Sequence, residues 1–354
     1  MRILFTIGDG YFPQRAGGAQ SSTRQLADQL MSLGHEVAVM CLLQGGGWIE
    51  WSSRIKRRIS GKRFSKDRYA GHVTYRAWDP TDVSEVVRQF RPDVAIVQNG
   101  KTVPIAVSLR EYNVPVVLYF RNVEFAELEG SPSNLDKARF VANSHFTARK
   151  YANEFNIEAT VIPPLVDEKK YKTQSSGRYV TFINPYPVKG LEIALQIAKF
   201  CEDIPFLFQE SWGLDVERRQ QLDQRLKALP NVIFQPRTAD MKSVYGVTRI
   251  LLAPSIWEEA WGRVATEAHY SGIPVIGSRQ GGLPEAIGPG GITLNHDAPI
   301  SDWVDAVQLL WNDPETYRFH AEAALNFSQR SEMRSEVQTQ KLLEVLNDAI
   351  VQML

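Results

Sequence analysis

Residues 249–278 read RILLAPSIWEEAWGRVATEAHYSGIPVIGS and contain a complete strand–helix–strand unit. RILLAPS is an apolar run rich in strand-forming residues, GRVATEAHYSG has a helical pattern that ends near Gly272, and PVIGS is again strand-like. Two strands joined through a helix pair in parallel, because the crossover returns the chain to the same end of the sheet. The stretch therefore predicts an α/β fold built on a parallel sheet.

The same alternation extends in both directions from this unit. On the N-terminal side the predicted strands are RILFTIGD, HEVAVMCLL, RPDVAIVQN, VPVVLYFR, ARFVANS and ATVIPP, with a helix at about 19–33 after the first. After VIPPLVDEKKY the chain turns polar (KTQSSGR), and strands alternate with helices again from YVTFINP to ITL. This order predicts two Rossmann-like domains, 1–168 and 169–333, that face each other across a cleft at the carboxyl ends of their sheets. Residues 334–354 have apolar residues at helical spacing and predict a helix that packs back on the body.

Composition narrows the class of protein. A length of 354 residues suits two domains, and equal numbers of basic and acidic residues, 40 each, give no reason to expect nucleic acid as a partner. Cys41 and Cys201 lie in separate apolar runs and are expected to be buried free thiols. No signal peptide or membrane span is evident, which favours a cytoplasmic location. The histidines have no metal-ligand spacing, and no metal or cofactor is expected.

Residues 45–68, GGGWIEWSSRIKRRISGKRFSKDR, combine basic and aromatic side chains. Trp48, Trp51, Ile55 and Phe64 are interleaved with a basic run over 54–68 that contains one acid, Asp67. One interpretation is a mobile, solvated loop. The other is contact with a membrane surface or an anionic acceptor, because aromatic rings enter the interface while Lys and Arg meet lipid phosphates.

Glu259 and Glu267 are too far apart to act as an acid and base pair. Eight positions along a helix correspond to a rise of about 12 Å and a rotation of roughly 80°. The two carboxylates are instead suited to hold two ends of an extended ligand, with phosphates between them at the helix N-terminus near Gly262 and Val264. A nucleotide-sugar has that layout. The alternative is that Glu259 is a solvated loop acid and Glu267 a surface helix residue.

The run PSIWEEAWGRVATEAHYSGIPVIGSRQGGLPEAI resembles the donor-binding signature of retaining glycosyltransferases of the GT-B fold, in the family called group 1 or family 4. In that pattern seven residues separate two glutamates, which Glu259 and Glu267 match. A Gly-Ile-Pro-Val strand and a Gly-Gly-x-x-Glu loop follow, matched by residues 272–275 and 281–285. The resemblance implies that Glu259 binds donor-sugar hydroxyls and Glu267 binds the nucleotide ribose.

Other matches extend over most of the chain. The loop DGYFPQRAGGAQ resembles the family's N-terminal glycine loop, where Gly17 and Gly18 would approach phosphate or sugar through their backbone amides. FINPYPVKGLEIAL resembles the family's Lys-Gly loop, which implies that Lys189 neutralises the leaving diphosphate. Asn184 stands where the family usually has an arginine, and Arg263 is predicted to supply that second positive charge.

The segment PVVLYFRNVEF departs from the family pattern. Arg121 stands where members commonly have a histidine that reaches the donor sugar. A guanidinium stays protonated and cannot accept a proton, but it can bind a sugar hydroxyl or a carboxylate. Asn122, Glu124 and His145 are the predicted acceptor-side residues. Alternatively, Arg121 forms a structural pair with Glu124.

The resemblance implies an enzyme that moves a sugar from a nucleotide-diphosphate sugar, most often UDP- or GDP-linked in this family, to a glycan, a lipid-linked acceptor or another hydroxyl. It also implies retention of anomeric configuration by front-face departure, in which a donor phosphate oxygen accepts the acceptor proton. The basic segment favours synthesis of cell-surface polysaccharide or glycolipid at the inner membrane face. A nucleotide-sugar epimerase of related fold and a non-catalytic nucleotide-sugar binding protein are the alternatives.

Overall fold

The computed structural model describes residues 1–353, so Leu354, the last residue of the predicted terminal helix, lies outside the described residues. The chain divides into two compact units. Unit 1 comprises Met1–Leu165 together with Arg334–Leu354, and unit 2 comprises Val166–Met333. The sequence placed this boundary at residue 168.

Unit 1 is built on an eight-stranded sheet in the order β3-β4-β2-β1-β5-β6-β7-β8. Its strands are β1 (Arg2–Ile7), β2 (Glu36–Leu42), β3 (Phe64–Asp67), β4 (Val73–Ala77), β5 (Val94–Gln98), β6 (Val116–Phe120), β7 (Arg139–Ala142) and β8 (Thr160–Val161). All neighbouring pairs are parallel except β3 and β4. Alternate residues of β1 point to opposite layers: Leu4 belongs to one apolar cluster, and Ile3 and Phe5 belong to the other.

Helices cover both faces of the sheet in unit 1. They are α1 (Gly18–Ser32), α2 (Gly47–Ser60), α3 (Ser84–Phe90), α4 (Thr102–Glu111), α5 (His145–Phe155) and, from the end of the chain, α14 (Ser335–Met353). One core joins β1 to α1 and α14 through Leu30, Leu342 and Leu346. The terminal helix is therefore part of the core of unit 1.

Unit 2 repeats the architecture with a six-stranded parallel sheet in the order β11-β10-β9-β12-β13-β14. Its strands are β9 (Tyr179–Ile183), β10 (Phe206–Gln209), β11 (Val232–Gln235), β12 (Thr248–Ala253), β13 (Val275–Ser278) and β14 (Gly291–Leu294). Its helices are α6 (Glu168–Tyr171), α7 (Leu191–Phe200), α8 (Val216–Leu226), α9 (Met241–Tyr245), α10 (Arg263–His269), α11 (Leu283–Ile287), α12 (Ile300–Asn312) and α13 (Pro314–Ser328).

The parallel α/β prediction is confirmed, whereas the loop interpretation of residues 45–68 is wrong. That segment forms α2 and then β3, which adds an antiparallel edge strand to the sheet. Trp48, Trp51, Ile55 and Ile59 recur along this helix at helical spacing, and an ion pair between Glu50 and Arg54, one turn apart, supports it. Its C-terminus is capped by Gly61 in the left-handed conformation. The predicted free thiols are confirmed, since both cysteines are buried and unpaired by disulfide.

Candidate functional site

The site in unit 2 lies at the topological switch point of its sheet. From β9 the chain continues to β10 on one side, whereas β12 lies on the other side. The loops that leave the carboxyl ends of β9 and β12 therefore diverge and leave a crevice, where ligands bind in sheets of this kind. The β9 loop carries Lys189, and the β12 loop carries Glu259.

Glycines allow these loops to approach one another closely. Gly190 has φ +84°, and a Cβ there would overlap the carbonyl oxygen of Pro254 at the end of β12. Gly281 has φ +62° and pairs with the backbone of Glu259, whose carbonyl accepts a 2.6 Å hydrogen bond from the amide of Gly282. The positions of Lys189 and Glu259 are thus fixed by backbone contacts that only glycine permits.

Lys189 and Glu259 form an ion pair at the switch point. The Lys189 Nζ lies 2.6 Å from the Glu259 Oε1, and both side chains are mostly buried. The ammonium also lies 5.0 Å from the ring of Trp212 and 5.8 Å from that of Trp257. The alternative that Glu259 is a solvated loop acid is therefore wrong, because its carboxylate is held by a lysine beside two aromatic rings.

Asn184, at the end of β9, organises the neighbouring loop after β10. Its backbone has φ +69°, and its Oδ1 accepts a 3.0 Å hydrogen bond from the amide of Trp212. Its own amide donates to the carbonyl of Gln209 at 2.7 Å. The asparagine that replaces the family's usual arginine thus positions the tryptophan that packs on Lys189.

Glu267 is buried, at 7% exposure, and the alternative that it is a surface helix residue is wrong. Its Oε2 accepts a 2.8 Å hydrogen bond from the Tyr245 hydroxyl, and the Tyr171 hydroxyl also bonds to the carboxyl. Burial raises the pKa of Glu267, while Arg263 and the two tyrosines oppose that rise. Because its surroundings hold the Glu267 carboxyl group in one orientation, one of its oxygens can be presented to a ligand in a fixed direction.

Arg263 is the first residue of α10, directly after Gly262, which has φ +97°. Its Nη2 lies 3.4 Å from the Glu267 Oε1 one turn further along the helix and 3.3 Å from the Tyr171 hydroxyl. The structure thus brings Arg263 together with Glu267. Val264 follows it and is half-buried against the apolar cluster around Trp261.

In unit 1 the switch point lies between β1 and β5. The Gly8 amide after β1 donates a 2.7 Å hydrogen bond to the Asn99 carbonyl after β5, and a Cβ on Gly8 would overlap Gly100. Gly17 caps α1 and Gly18 is its first residue, so both lie in the loop that follows β1.

Arg76, fully buried, ties that loop to the sheet. Its Nε donates to the Asp67 carboxylate at 2.6 Å, and its two terminal nitrogens donate to the carbonyls of Tyr11 and Phe12. The partner Asp67 belongs to β3. The segment 45–68 therefore contributes a buried ion pair that holds the glycine loop in place.

The predicted acceptor residues follow β6 and β7. Arg121 is buried, and its guanidinium lies over the Tyr119 ring at 3.9 Å. The side-chain amide of Asn122 donates to the Glu127 carboxylate, and the carboxylate of Glu124 accepts from the Val123 amide at 3.1 Å. His145 is exposed at the start of α5, next to the capping residue Ser144. The structure does not test the roles of these residues, which stay predictions.

Sequence reasoning missed Trp212, Trp257, Tyr171 and Tyr245. Trp257 lies two residues before Glu259 and could have been noted from that position. The others come from the loop after β10, from α6 and from α9, and no spacing in the sequence connects them with Lys189 or Glu267. Among residues 1–353, no group of three His, Cys, Asp or Glu side chains is arranged to hold a metal. No helix in that range is long and apolar enough to cross a membrane.

Curated relatives match part of the chain. A D-inositol 3-phosphate glycosyltransferase of Corynebacterium kroppenstedtii is 36% identical over 31% of this chain and 24% of its own length. The enzyme of that name from Corynebacterium glutamicum is 40% identical over 22% of this chain and 19% of its own length. The chain thus aligns with less than a third of each of these relatives.

Solved structures match nearly the whole chain. A glycosyltransferase of Rickettsia africae has a TM-score of 0.75 at 16% identity and covers 98% of both chains. Anabaena HepE in complex with UDP-glucose has a TM-score of 0.74 at 18% identity, over 98% of this chain and 99% of its own. These neighbours establish the fold.

Two family models account for most of the sequence. The Glycosyltransferase Family 4 model matches residues 16–170, and the model for Glycosyl transferases group 1 matches residues 170–327. The second match contains Lys189 and Glu259, which pair at the switch point of unit 2, and also Glu267. The chain therefore belongs to the group 1, family 4 glycosyltransferases and has their GT-B fold.

Proposed function

We propose that this glycosyltransferase moves a sugar from a nucleotide-diphosphate sugar to a hydroxyl acceptor with retention of configuration. The observation that carries the proposal is the Lys189–Glu259 pair at the switch point of unit 2, at 2.6 Å. A donor would separate this pair: its diphosphate would take the lysine, and its sugar hydroxyls would take the carboxylate. Each charge would thus gain a partner as it lost one.

Glu267 would hold the other end of the donor. Ribose hydroxyls can donate to its carboxylate oxygens, and the Tyr245 hydroxyl and Arg263 orient that carboxyl. Backbone amides near Gly262 and Val264, together with Asn184, would complete the donor contacts in unit 2. Gly17 and Gly18 are assigned to donor binding as well, through their backbone amides. UDP is the favoured nucleotide of the donor because the Anabaena HepE neighbour was solved with UDP-glucose, and GDP is the second choice.

The acceptor is proposed to be a glycan or a lipid-linked hydroxyl compound, with Asn122, Glu124 and His145 on the acceptor side. Arg121 is proposed as a catalytic residue in the place of the family's histidine. Arg121 would bind and orient oxygen atoms, since a guanidinium cannot serve as a base. In a front-face departure the acceptor proton passes to a donor phosphate oxygen, and Lys189 stabilises the departing diphosphate. No metal is required for this proposal, because protein cations neutralise the charge.

Contact with a membrane surface through Trp48, Trp51 and the basic run 54–68 is part of the same proposal. Both tryptophans are exposed on α2, which also carries four of the basic residues. A sugar acceptor anchored in a bilayer would bring its hydroxyl group to a protein held at that surface.

The test compares donors and then acceptors. In thermal-shift measurements with UDP-, GDP-, ADP- and dTDP-sugars, the sugars of one nucleotide should raise the melting temperature of the protein. Release of that nucleotide should then require an acceptor. NMR of the product's anomeric proton should give the configuration of the donor. Conversion of the donor without an acceptor would instead identify an epimerase, and binding without nucleotide release would identify a non-catalytic binding protein.

A further inference from the structure

A cavity of about 520 Å³ lies beside α2 in unit 1. It is lined by Arg54, Arg57, Arg58, Gly61 and Trp78. Trp78 directly follows β4, so the cavity lies at the carboxyl ends of the strands of unit 1, two strands away from β1 and the switch point.

The lining has the chemistry of a phosphate site. Three arginines line the cavity, and the planar guanidinium forks of Arg57 and Arg58 can each donate two hydrogen bonds to phosphate oxygens. The guanidinium of Arg57 lies 4.7 Å from the centroid of the Trp78 ring. This stacking restricts the side chain before any ligand arrives and reduces the entropy lost on binding.

The nearby carboxylates are already paired: Glu50 with Arg54 of the lining, and two others with cations outside it. Glu50 pairs with Arg54 at 2.5 Å and accepts from the Gly46 amide, and Asp82 pairs with Arg63. Asp79, next to Trp78, lies 4.0 Å from the ammonium of Lys101. Within residues 1–353, Arg57 and Arg58 form no ion pair, so the cavity has a net positive charge.

The same helix exposes an apolar stripe. Trp48, Trp51, Ile55 and Ile59 have exposures of 66%, 56%, 40% and 82%, and the two tryptophan rings lie 5.0 Å apart. Ser53 is the only residue of α2 that is buried. At 3.6 residues per turn, Arg54 and Arg58 lie along one border of this stripe, and Lys56 lies along the other. A helix with an apolar stripe between basic borders is suited to lie in the headgroup region of a bilayer.

We propose that this cavity binds the phosphate of an anionic phospholipid headgroup while the stripe inserts at the acyl boundary of the same bilayer. This inference rests on the membrane contact proposed above and adds a discrete headgroup site to it. The stripe decides between a lipid and a soluble phosphorylated sugar: a soluble ligand could occupy the arginines but would leave the four apolar side chains in water.

The test compares two double variants that lose the same charge. R57Q/R58Q removes two guanidinium groups of the cavity, whereas K56Q/K62Q removes two exposed charges outside it. Sedimentation with vesicles of phosphatidylcholine and phosphatidylglycerol, without donor, gives the dissociation constant of each. The loss of general electrostatic attraction should weaken vesicle binding roughly fivefold per lost charge in both variants. The affinity of R57Q/R58Q for vesicles should fall about tenfold further, because the hydrogen bonds of the two arginines to a single phosphate are lost as well.

Two results would overturn the proposal. Equal losses in the two variants would mean that attraction to lipid is general, with no headgroup site. Wild-type binding of inorganic phosphate that needs Arg57 and Arg58, but no sedimentation with vesicles, would assign the cavity to a soluble phosphorylated ligand. Circular dichroism melting checks that each variant is folded. Donor binding by the wild-type chain without vesicles reports on the proposed transferase function separately.

Discussion

At the scale of single residues, the candidate site depends on charges that are paired within the protein. Lys189 is held by Glu259, and Arg263 by Glu267, so each cation lies beside a carboxylate that the ligand would also use. A donor gains from this arrangement because the groups it needs are already oriented. The aromatic rings of Trp212 and Trp257 keep the ammonium of Lys189 close to the switch point.

Replacing Lys189 by methionine should lower kcat for sugar transfer by about 10²-fold or more, because one cation that stabilises the leaving diphosphate is lost. Lys199→Met is the matched control, since Lys199 is an exposed residue near the end of α7 and should leave turnover unchanged. Steady-state nucleotide release measures both variants. Equal rates for the Lys189 and Lys199 variants would contradict the assigned role.

Gly190→Ala should destabilise unit 2 by about 1–2 kcal/mol or more, because φ +84° is strained for alanine and the added Cβ overlaps the Pro254 carbonyl. Gly213→Ala is the control in a neighbouring loop, where the nearest atom is a side-chain nitrogen of Arg237 at 3.8 Å. Thermal unfolding of the two variants measures the difference. A Gly190 variant as stable as the control would mean that the two loops can move apart without cost.

The glutamates of the site could be found from sequence, but their environment could not. Their spacing alone indicated that Glu259 and Glu267 are too far apart to act on one reacting atom. It also indicated that they could bind two ends of one donor. Tyr245 bonds to Glu267 from α9, and Trp212 reaches Lys189 from the loop after β10. Such contacts depend on how strands are ordered in the sheet, which local patterns do not encode.

At the scale of elements, helices from distant parts of the chain complete each layer. α14 packs on α1, β5, β6 and β7, and Leu342, Leu346 and Ala349 are fully buried in that interface. The apolar spacing of this helix was visible in the sequence. In α2 the helical spacing was also present, but the sequence interpretation chose between a solvated loop and a membrane or anionic-acceptor contact, and the helix was missed.

Leu346→Ala in α14 should destabilise unit 1 by about 2–5 kcal/mol, the usual cost of removing a fully buried leucine. Val351→Ala on the same helix is the control, because Val351 is 68% exposed and should change stability by less than about 0.5 kcal/mol. Hydrogen exchange of the amides in β5, β6 and β7 should accelerate only in the first variant. Unchanged protection there would show that α14 contributes little to the core.

At the scale of the whole molecule, each unit contains a buried neutral histidine. Burial lowers the pKa of His72 in unit 1 to about 4, with Arg24 lowering it further and Asp67 opposing. Burial lowers the pKa of His269 in unit 2 to about 3, with Arg330 acting in the same direction and a hydrogen bond with the Gly290 backbone opposing. Both units therefore fold with these rings uncharged.

The protein should lose stability as the pH falls below about 6.5, because the unfolded chain then binds protons that the folded histidines do not. The stability that the uncharged rings contribute is fully present above the pKa of histidine in the unfolded chain. It is lost as the pH falls toward the pKa values in the folded protein, at up to about 1.4 kcal/mol per pH unit for each ring. His72→Gln should reduce the pH dependence of urea unfolding. His320→Gln, at a half-buried position, is the matched control. Identical slopes in these two variants would exclude His72 as a source.

The division into two α/β units followed from the alternation of strands and helices, and the structural neighbours agree with it over 98% of the chain. The sequence also indicated where the first unit ends, because polar residues follow VIPPLVDEKKY. The sequence could not assign residues 334–353 to unit 1 with certainty, since an apolar face alone does not identify the surface that it covers.

Unit 1 is made of two segments that are separated in the chain by the whole of unit 2. During synthesis, the first segment leaves the ribosome long before the helix that covers part of its core. At about 5–20 residues per second, unit 2 takes roughly 10 to 30 s to be translated. Unit 2 can therefore complete its fold while the nascent unit 1 still exposes the apolar surface beside β5, β6 and β7. Chaperones that bind apolar surface would have that interval in which to act.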